Sequence, residues 1–211
     1  MPKTTAEANT VLTDRLDSTF FGLSTTYPTL AGGSFTEPSP ANGYARQAIT
    51  YGAAASGSRS NSSALSFPAS TGNQGRFVAG GIWSASTSGT LRYFEWLGKE
   101  TSKYFQPADV NTTTNRITLT GHGWSDGDSA VIRTPAGSTI PAGASVDTEY
   151  FVKSIDANTI ELYTNSGLTT ILDLTSAGAG SQEIFRFLPR NVNASGITLS
   201  FASGQIVNTE Q

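Results

Sequence analysis

The spacing of apolar and polar positions changes period once, near the start of the chain. Ala8, Val11, Leu12 and Leu16 recur at i, i+3, i+4 and i+8, which places them on one face of a helix. Thr4 and Glu7 stand three apart just ahead, so each side chain can satisfy the other's free backbone N–H, as in a capping box. The pattern predicts a helix from about Thr5 to Asp17 whose narrow apolar stripe lies against the edge of a domain.

From there the period is two, or the runs are short. Residues 19–26 carry Phe20, Phe21 and Leu23 and stop at Tyr27-Pro28, where proline cannot donate to a ladder. Residues 44–51 alternate, with Ala45, Gln47, Ile49 and Tyr51 against Tyr44, Arg46, Ala48 and Thr50. Leu65 and Phe67 share a face before Pro68, and residues 75–84 hold Phe77, Val78, Ile82 and Trp83. The strongest strand signal is 90–99, with Leu91, Tyr93, Glu95 and Leu97 opposite Arg92, Phe94 and Trp96. Residues 31–43 read as a Gly/Pro loop and 52–61 as a small, polar, flexible connection. Strand signals at roughly 10–15-residue intervals have the rhythm of a sandwich or barrel.

Past Gln106-Pro107 the texture changes. Short strands are predicted at 116–120, 130–133, 150–155, 159–163 and 183–188, with a tight hairpin at Asp156-Ala157-Asn158 and a glycine-rich turn from Gly121 to Asp128. These strands describe a small, closed, β-barrel-like module. Ile197, Leu199 and Phe201 then alternate as the strands before residue 100 do. The expected architecture is all-β: a β-sandwich of residues 1–106 and 190–211 with a short N-terminal helix, interrupted by an inserted small β-barrel-like module at 107–189.

Composition narrows the function. Of 211 residues, 13 are Lys or Arg and 16 Asp or Glu, a net charge of −3, which argues against a nucleic-acid partner. No run approaches the ~20 apolar residues of a membrane helix, so no membrane partner is expected. Hydrophobic residues are 37% of the chain and aromatics 10%, enough for a packed core rather than disorder. With no Cys, disulfides, thiolate metal sites and Cys nucleophiles drop out together. The N-terminal Met1-Pro2-Lys3-Thr4-Thr5 lacks the apolar core of a signal peptide, which predicts folding in a cytoplasm.

Little is left to carry chemistry. His122 is the single histidine; flanked by two glycines, it reads as a turn residue rather than a catalytic group or metal ligand. Asp126 and Asp128 could offer two carboxylates to calcium, but the closing Glu of a calcium loop is absent and a polar turn is the simpler reading. Glu95 could serve a glycan-cleaving pair, yet no second carboxylate is evidently placed opposite; it reads as a solvent-face residue or a partner of Arg92 or Arg46. Trp83 and Trp96 sit in core-like strands, which leaves Trp124, in a predicted turn, as the tryptophan open to recognition of a sugar. The glycine-rich loops lack the Lys-Ser/Thr of a phosphate-binding loop. No catalytic, cofactor-binding or metal-binding residue is assigned, and no cofactor is expected.

Two sets of motifs resemble phage virion sequences. The first is Phe21-Gly22-Leu23-Ser24-Thr25-Thr26-Tyr27-Pro28, then Asn42-Gly43-Tyr44-Ala45-Arg46-Gln47-Ala48-Ile49-Thr50, Ser60-Asn61-Ser62-Ser63-Ala64-Leu65-Ser66-Phe67-Pro68 and Gly80-Gly81-Ile82-Trp83-Ser84, closed by Ile197-Thr198-Leu199-Ser200-Phe201-Ala202-Ser203-Gly204. It resembles a family of small tailed-bacteriophage structural proteins variously labelled tail, tail-fibre or head-associated. The second comprises Ile117-Thr118-Leu119-Thr120-Gly121-His122-Gly123, Gly127-Asp128, Ile140-Pro141-Ala142-Gly143, Tyr150-Phe151-Val152 and Ile155-Asp156-Ala157-Asn158-Thr159-Ile160-Glu161-Leu162. It is similar to a small β-module that recurs in phage virion proteins, often as an insertion. The resemblance implies a virion component without enzyme activity, placed in the tail or neck-fibre apparatus. Its expected partners are other virion proteins and copies of itself in a homo-oligomer. The alternatives are capsid decoration, a module that binds a host surface glycan, and an enzyme that cleaves one.

Overall fold

The computed structural model describes residues 3–29, 31 and 33–210. The chain is all-β apart from one helix and forms two compact units, residues 1–97 with 190–211 and residues 98–189. The first stretch holds α1 (Thr5–Leu16), β1 (Phe20–Ser24), β2 (Gln47–Ala48), β3 (Ser58–Ser60), β4 (Leu65–Ser66), β5 (Gly75–Phe77), β6 (Ala79–Trp83) and β7 (Leu91–Trp96). The second unit holds β8 (Lys103–Phe105), β9 (Val110–Asn111), β10 (Arg116–Thr118), β11 (Ser129–Arg133), β12 (Glu149–Asp156), β13 (Thr159–Tyr163) and β14 (Gln182–Phe187). The returning segment adds β15 (Arg190–Val192), β16 (Ser200–Phe201) and β17 (Val207–Thr209).

One half of the expected capping box forms: Thr4 Oγ1 accepts a hydrogen bond from the Glu7 N–H at 3.2 Å, while the Glu7 carboxylate does not return the bond to the Thr4 N–H. Ala8, Leu12 and Leu16 of the stripe are buried, each leucine contributing about 1.5–3 kcal/mol, while Val11 stays half exposed. Tertiary donors meet the orphan carbonyls of the last turns. Arg59 Nη1 reaches Leu12 O and Thr13 O at 3.3 Å each, Thr19 Oγ1 reaches Leu16 O at 2.7 Å, and Arg92 Nη1 donates to Arg15 O.

In the first unit β2-β1-β6-β7 form an antiparallel sheet. The returning segment is bound by three two-stranded ribbons, β15 to β5, β16 to β4 and β17 to β3. It also gives Val192 and Ile206 to a core built on Leu12, Leu16, Phe21, Leu23, Phe67 and Phe77. The 44–51 run is not the regular strand its alternation predicted. Only Gln47–Ala48 pairs with β1, because Tyr44 and Ile49, of opposite parity, are both drawn into the core. The connection read as flexible at 52–61 contains β3, with Arg59 and Asn61 buried.

The second unit is one seven-stranded antiparallel sheet, β8-β14-β11-β12-β13-β10-β9, around Phe105, Ile117, Leu119, Ala130, Ile132, Val152, Ile160 and Ile184. Its edge strands are β8 and β9, yet they are successive in sequence, joined through the 3₁₀ turn Pro107–Asp109. A flat sheet would separate them by about 29 Å at ~4.8 Å per strand, whereas the five residue steps from Phe105 to Val110 reach at most about 18 Å. The sheet is therefore strongly curled. It does not close: among the described residues no ladder joins β8 to β9, and Pro107, which has no N–H, stands at the seam. The expected closed module is thus an open, curled sheet. Its first residue is Gly98 rather than residue 107, because β8 pairs with β14.

Candidate functional site

Three of the resemblance motifs converge on the outer half of β1. There β1 is central, with Phe20 opposite both Ala48 and Trp83. One step beyond the β2 ladder brings Arg46 level with Gly22. A Cβ on Gly22 would stand 2.9 Å from Glu37 Oε1, 3.1 Å from Trp83 Nε1 and 3.2 Å from Tyr44 Oη, so only glycine lets these groups meet above the strand. The Arg46 guanidinium lies 3.5 Å over the Trp83 ring, with Phe35 edge-on to the same ring at 5.2 Å. Arg46 grips Glu37 through two parallel bonds, Nε to Oε1 at 2.9 Å and Nη2 to Oε2 at 2.6 Å. Its Nη1 donates to Ala85 O at 3.0 Å and Ser88 O at 2.5 Å, which pins the β6–β7 turn. Tyr44 Oη accepts from Leu23 N at 2.7 Å and donates to Glu37 Oε1 at 2.8 Å, and burial pushes this phenol well above its ordinary range. The Arg46 side chain is 7% exposed and Glu37 23%, so the pair is desolvated on one side. The arrangement is a clamp: the Arg46 fork and the Tyr44 hydroxyl are spent on holding loops, while the buried Trp83 Nε1–H makes no hydrogen bond.

A second hub ties the returning segment down. Asn61, 1% exposed, donates through Nδ2 to Ser63 O at 2.7 Å and Ala202 O at 2.8 Å, and its Oδ1 accepts from Ile206 N at 2.9 Å. Asn61 and its neighbours are the resemblance motif at 60–68, and Ala202 and Gly204 belong to the motif that closes it. What those motifs share is a set of fold-holding contacts.

The sequence-stated candidates fall into structural roles. His122 is buried, its Nδ1 accepting from Trp124 N at 2.9 Å and its Nε2 meeting Asp156 O at 2.7 Å, which fixes the neutral Nε2–H tautomer and staples the turn to the end of β12. Trp124, expected to be exposed for recognition, is 6% exposed inside the core of the second unit, because the glycines on either side of His122 let both rings turn inward. Asp126 accepts from Ser154 N at 2.8 Å, whereas Asp128 accepts from Ser125 N at 2.8 Å and Arg186 Nη1 at 2.6 Å. Arg186 also binds both oxygens of Glu100, at 2.9 and 2.7 Å, and these carboxylates hold its guanidinium still more firmly charged. The two aspartates are thus directed to different backbones, and no group of three or more metal-ligating side chains exists among the described residues. Glu95 Oε1 accepts from its neighbour's backbone N–H at 2.9 Å and from Tyr27 Oη at 3.4 Å. The partner expected for it is not Arg46, which is committed to Glu37, nor Arg92, which turns to the helix. Trp96 stacks on Tyr27 at 4.2 Å and 6°.

Glu37 is the residue that sequence reasoning missed. It was legible in one respect: it is the only charged residue between Asp17 and Arg46.

Residues 8–120 match the family model described as podophage GP4 fiber I protein gp80. The chain belongs to this fibre-protein family. The gp80-family match takes in the clamp, the helix stripe and both halves of the Gly22 crossing, runs on into the second unit as far as Thr120, and stops before His122. Membership makes the protein a phage virion component. No curated protein and no solved structure matches the chain.

Proposed function

We propose that the protein is a structural component of the tail-fibre apparatus, assembled in the host cytoplasm as a homo-oligomer, and that it works by presenting surfaces at fixed geometry rather than by catalysis. The observation that carries this reading is the fibre-family match across more than half of the chain. The side chains lend support, since the clamp, the Asn61 hub and the His122 staple spend their polar atoms on the protein's own loops. A chain rich in short hydroxylated side chains, 26 Ser and 29 Thr in all, suits wet subunit contacts that cost little side-chain entropy. Symmetric repetition is the usual route to such contacts.

The test is gold labelling of this protein on intact particles, viewed by electron microscopy, with cross-linking in parallel. Label on the tail fibres and like-to-like adducts are expected. Label over the head would replace the fibre role with capsid decoration, and adducts to unrelated proteins alone would remove the homo-oligomer.

A further inference from the structure

Beside the helix, the first unit carries a concave pocket of about 370 Å³ lined by Lys3, Val11, Arg15, Arg92, Tyr93 and Glu210. The fold gathers these residues from four places: the start of the chain, the outer face of α1, β7 and the residue after β17. The charges do not balance, with three cations against one carboxylate. Glu210 is held by Lys3 Nζ at 2.5 Å and by Tyr93 Oη at 2.9 Å. Its carboxyl titrates below the ordinary range because of those two bonds, Lys3 first. Arg92 spends one donor on Arg15 O. The Arg15 guanidinium makes no hydrogen bond or ion pair among the described residues and feels Glu210 only through its charge, so it and the rest of the Arg92 fork face the pocket as excess positive charge.

We infer that this pocket binds a sugar acid, a monosaccharide unit with one carboxylate and free hydroxyls. Two guanidinium groups suit a carboxylate, which they can meet with paired N–H donors. Lys3, Tyr93 and Glu210 together offer donors and acceptors for hydroxyls, and Val11 with the Tyr93 ring gives an apolar wall for the C–H face of a ring. The volume lies within the roughly 300–1,000 Å³ usual for small-ligand sites. Glu210 discriminates against a bare polyanion, which it repels, while it accepts hydroxyl protons. A neutral sugar leaves the pocket's excess of positive charge unmatched. The inference goes beyond a scaffolding role and does not depend on where in the particle the protein stands.

The experiment is calorimetric titration of the full chain at low ionic strength with D-glucuronate, D-galacturonate, D-glucose and inorganic phosphate. At least one uronate binds, and Arg15→Gln weakens it about tenfold, the value of a lost charge-assisted bond pair at a half-open site. Arg15→Gln changes the melting temperature little, since the exposed Arg15 side chain makes no hydrogen bond in the fold and its carbonyl still serves Arg92. Binding of glucose as tight as the uronates overturns the carboxylate assignment. Phosphate binding as tight reduces the pocket to a bare anion site. Uronate binding indifferent to Arg15→Gln places the ligand elsewhere, and silence from both uronates overturns the proposal.

Discussion

The second unit is built from seven strands joined in a single sheet, the longest of eight residues; the described residues of the first unit hold ten strands, of which four form a sheet and six stand in separate pairs of two or three residues. A backbone group without a ladder partner must find another or suffer desolvation. In the first unit buried side chains supply those partners: Arg46 for Ala85 and Ser88, Arg59 for Gly52, Leu12 and Thr13, Asn61 for Ser63, Ala202 and Ile206, Ser70 for Ala194. In the second unit backbone meets backbone along the ladders, and polar side chains such as His122 and Arg186 tie turns and strand ends to them. The contrast teaches that one fold class can be held by ladders or by buried polar hubs. A substitution at a polar residue therefore costs most where ladders are short.

The largest effect expected is from removing residues 190–211. The first unit then loses one strand of each ribbon together with Val192 and Ile206 and does not fold, while residues 98–189 expressed alone fold cooperatively. Dispersed amide spectra from the trimmed chain's first 97 residues would refute the dependence. Next comes Arg46→Met, which strands the Glu37 carboxylate beside Tyr44; a loss of about 3 kcal/mol is expected in urea unfolding. A loss below about 1 kcal/mol would mean that the clamp is ornamental. His122→Ala removes two bonds to backbone groups and should lower the second unit's stability by about 2 kcal/mol, with the first unit's transition unmoved.

The smallest effects are those of pH, and they separate the units at the alkaline end. Burial raises Tyr93 to about 12 and lifts Tyr44 and Tyr51 further still, all in the first unit; in the second, Tyr163 is raised. Below about pH 10 these phenols are neutral in both states. Above it the unfolded chain loses their protons first, so stability falls as pH climbs through that window. Phenolate absorbance should show the first unit unfolding ahead of the second, and simultaneous loss would erase the distinction. At the acid end the stability contributed by Glu210 is present above its ordinary 4.5 and fades as pH falls through its lowered value, a slope that Glu210→Gln should flatten.

Legibility in the sequence followed the same division. The helix and its cap were readable from Thr4, Glu7 and the stripe to Leu16, because those signals are local. The long strands β12, β13 and β14 were readable because a ladder imposes period two over enough residues. The ribbon strands β3, β15 and β17 were not, since two or three residues carry no periodicity and their partners lie more than a hundred positions away. The site was hidden for a related reason. Glu37 sits in a Gly/Pro loop and finds Arg46 only through the Gly22 crossing, whereas Trp124 looked exposed because a turn sequence says nothing about which way its side chains face.

The threading of the first unit has a consequence during synthesis. Its amino-terminal 97 residues leave the ribosome first, yet β3 cannot be paired until Thr209 has been made, 112 residues later. At ~5–20 residues per second that is a wait of roughly 6–22 s, during which the whole of the second unit is synthesised. The carboxy-terminal strands then complete the three ribbons of the first unit, so the nascent chain's order of birth is inverted in its order of maturation. The hydroxyl-rich, charge-poor stretch that waits offers a neighbouring nascent chain β3, β4 and β5 as strands of only two or three residues, and strands that short are poor templates for pairing between chains.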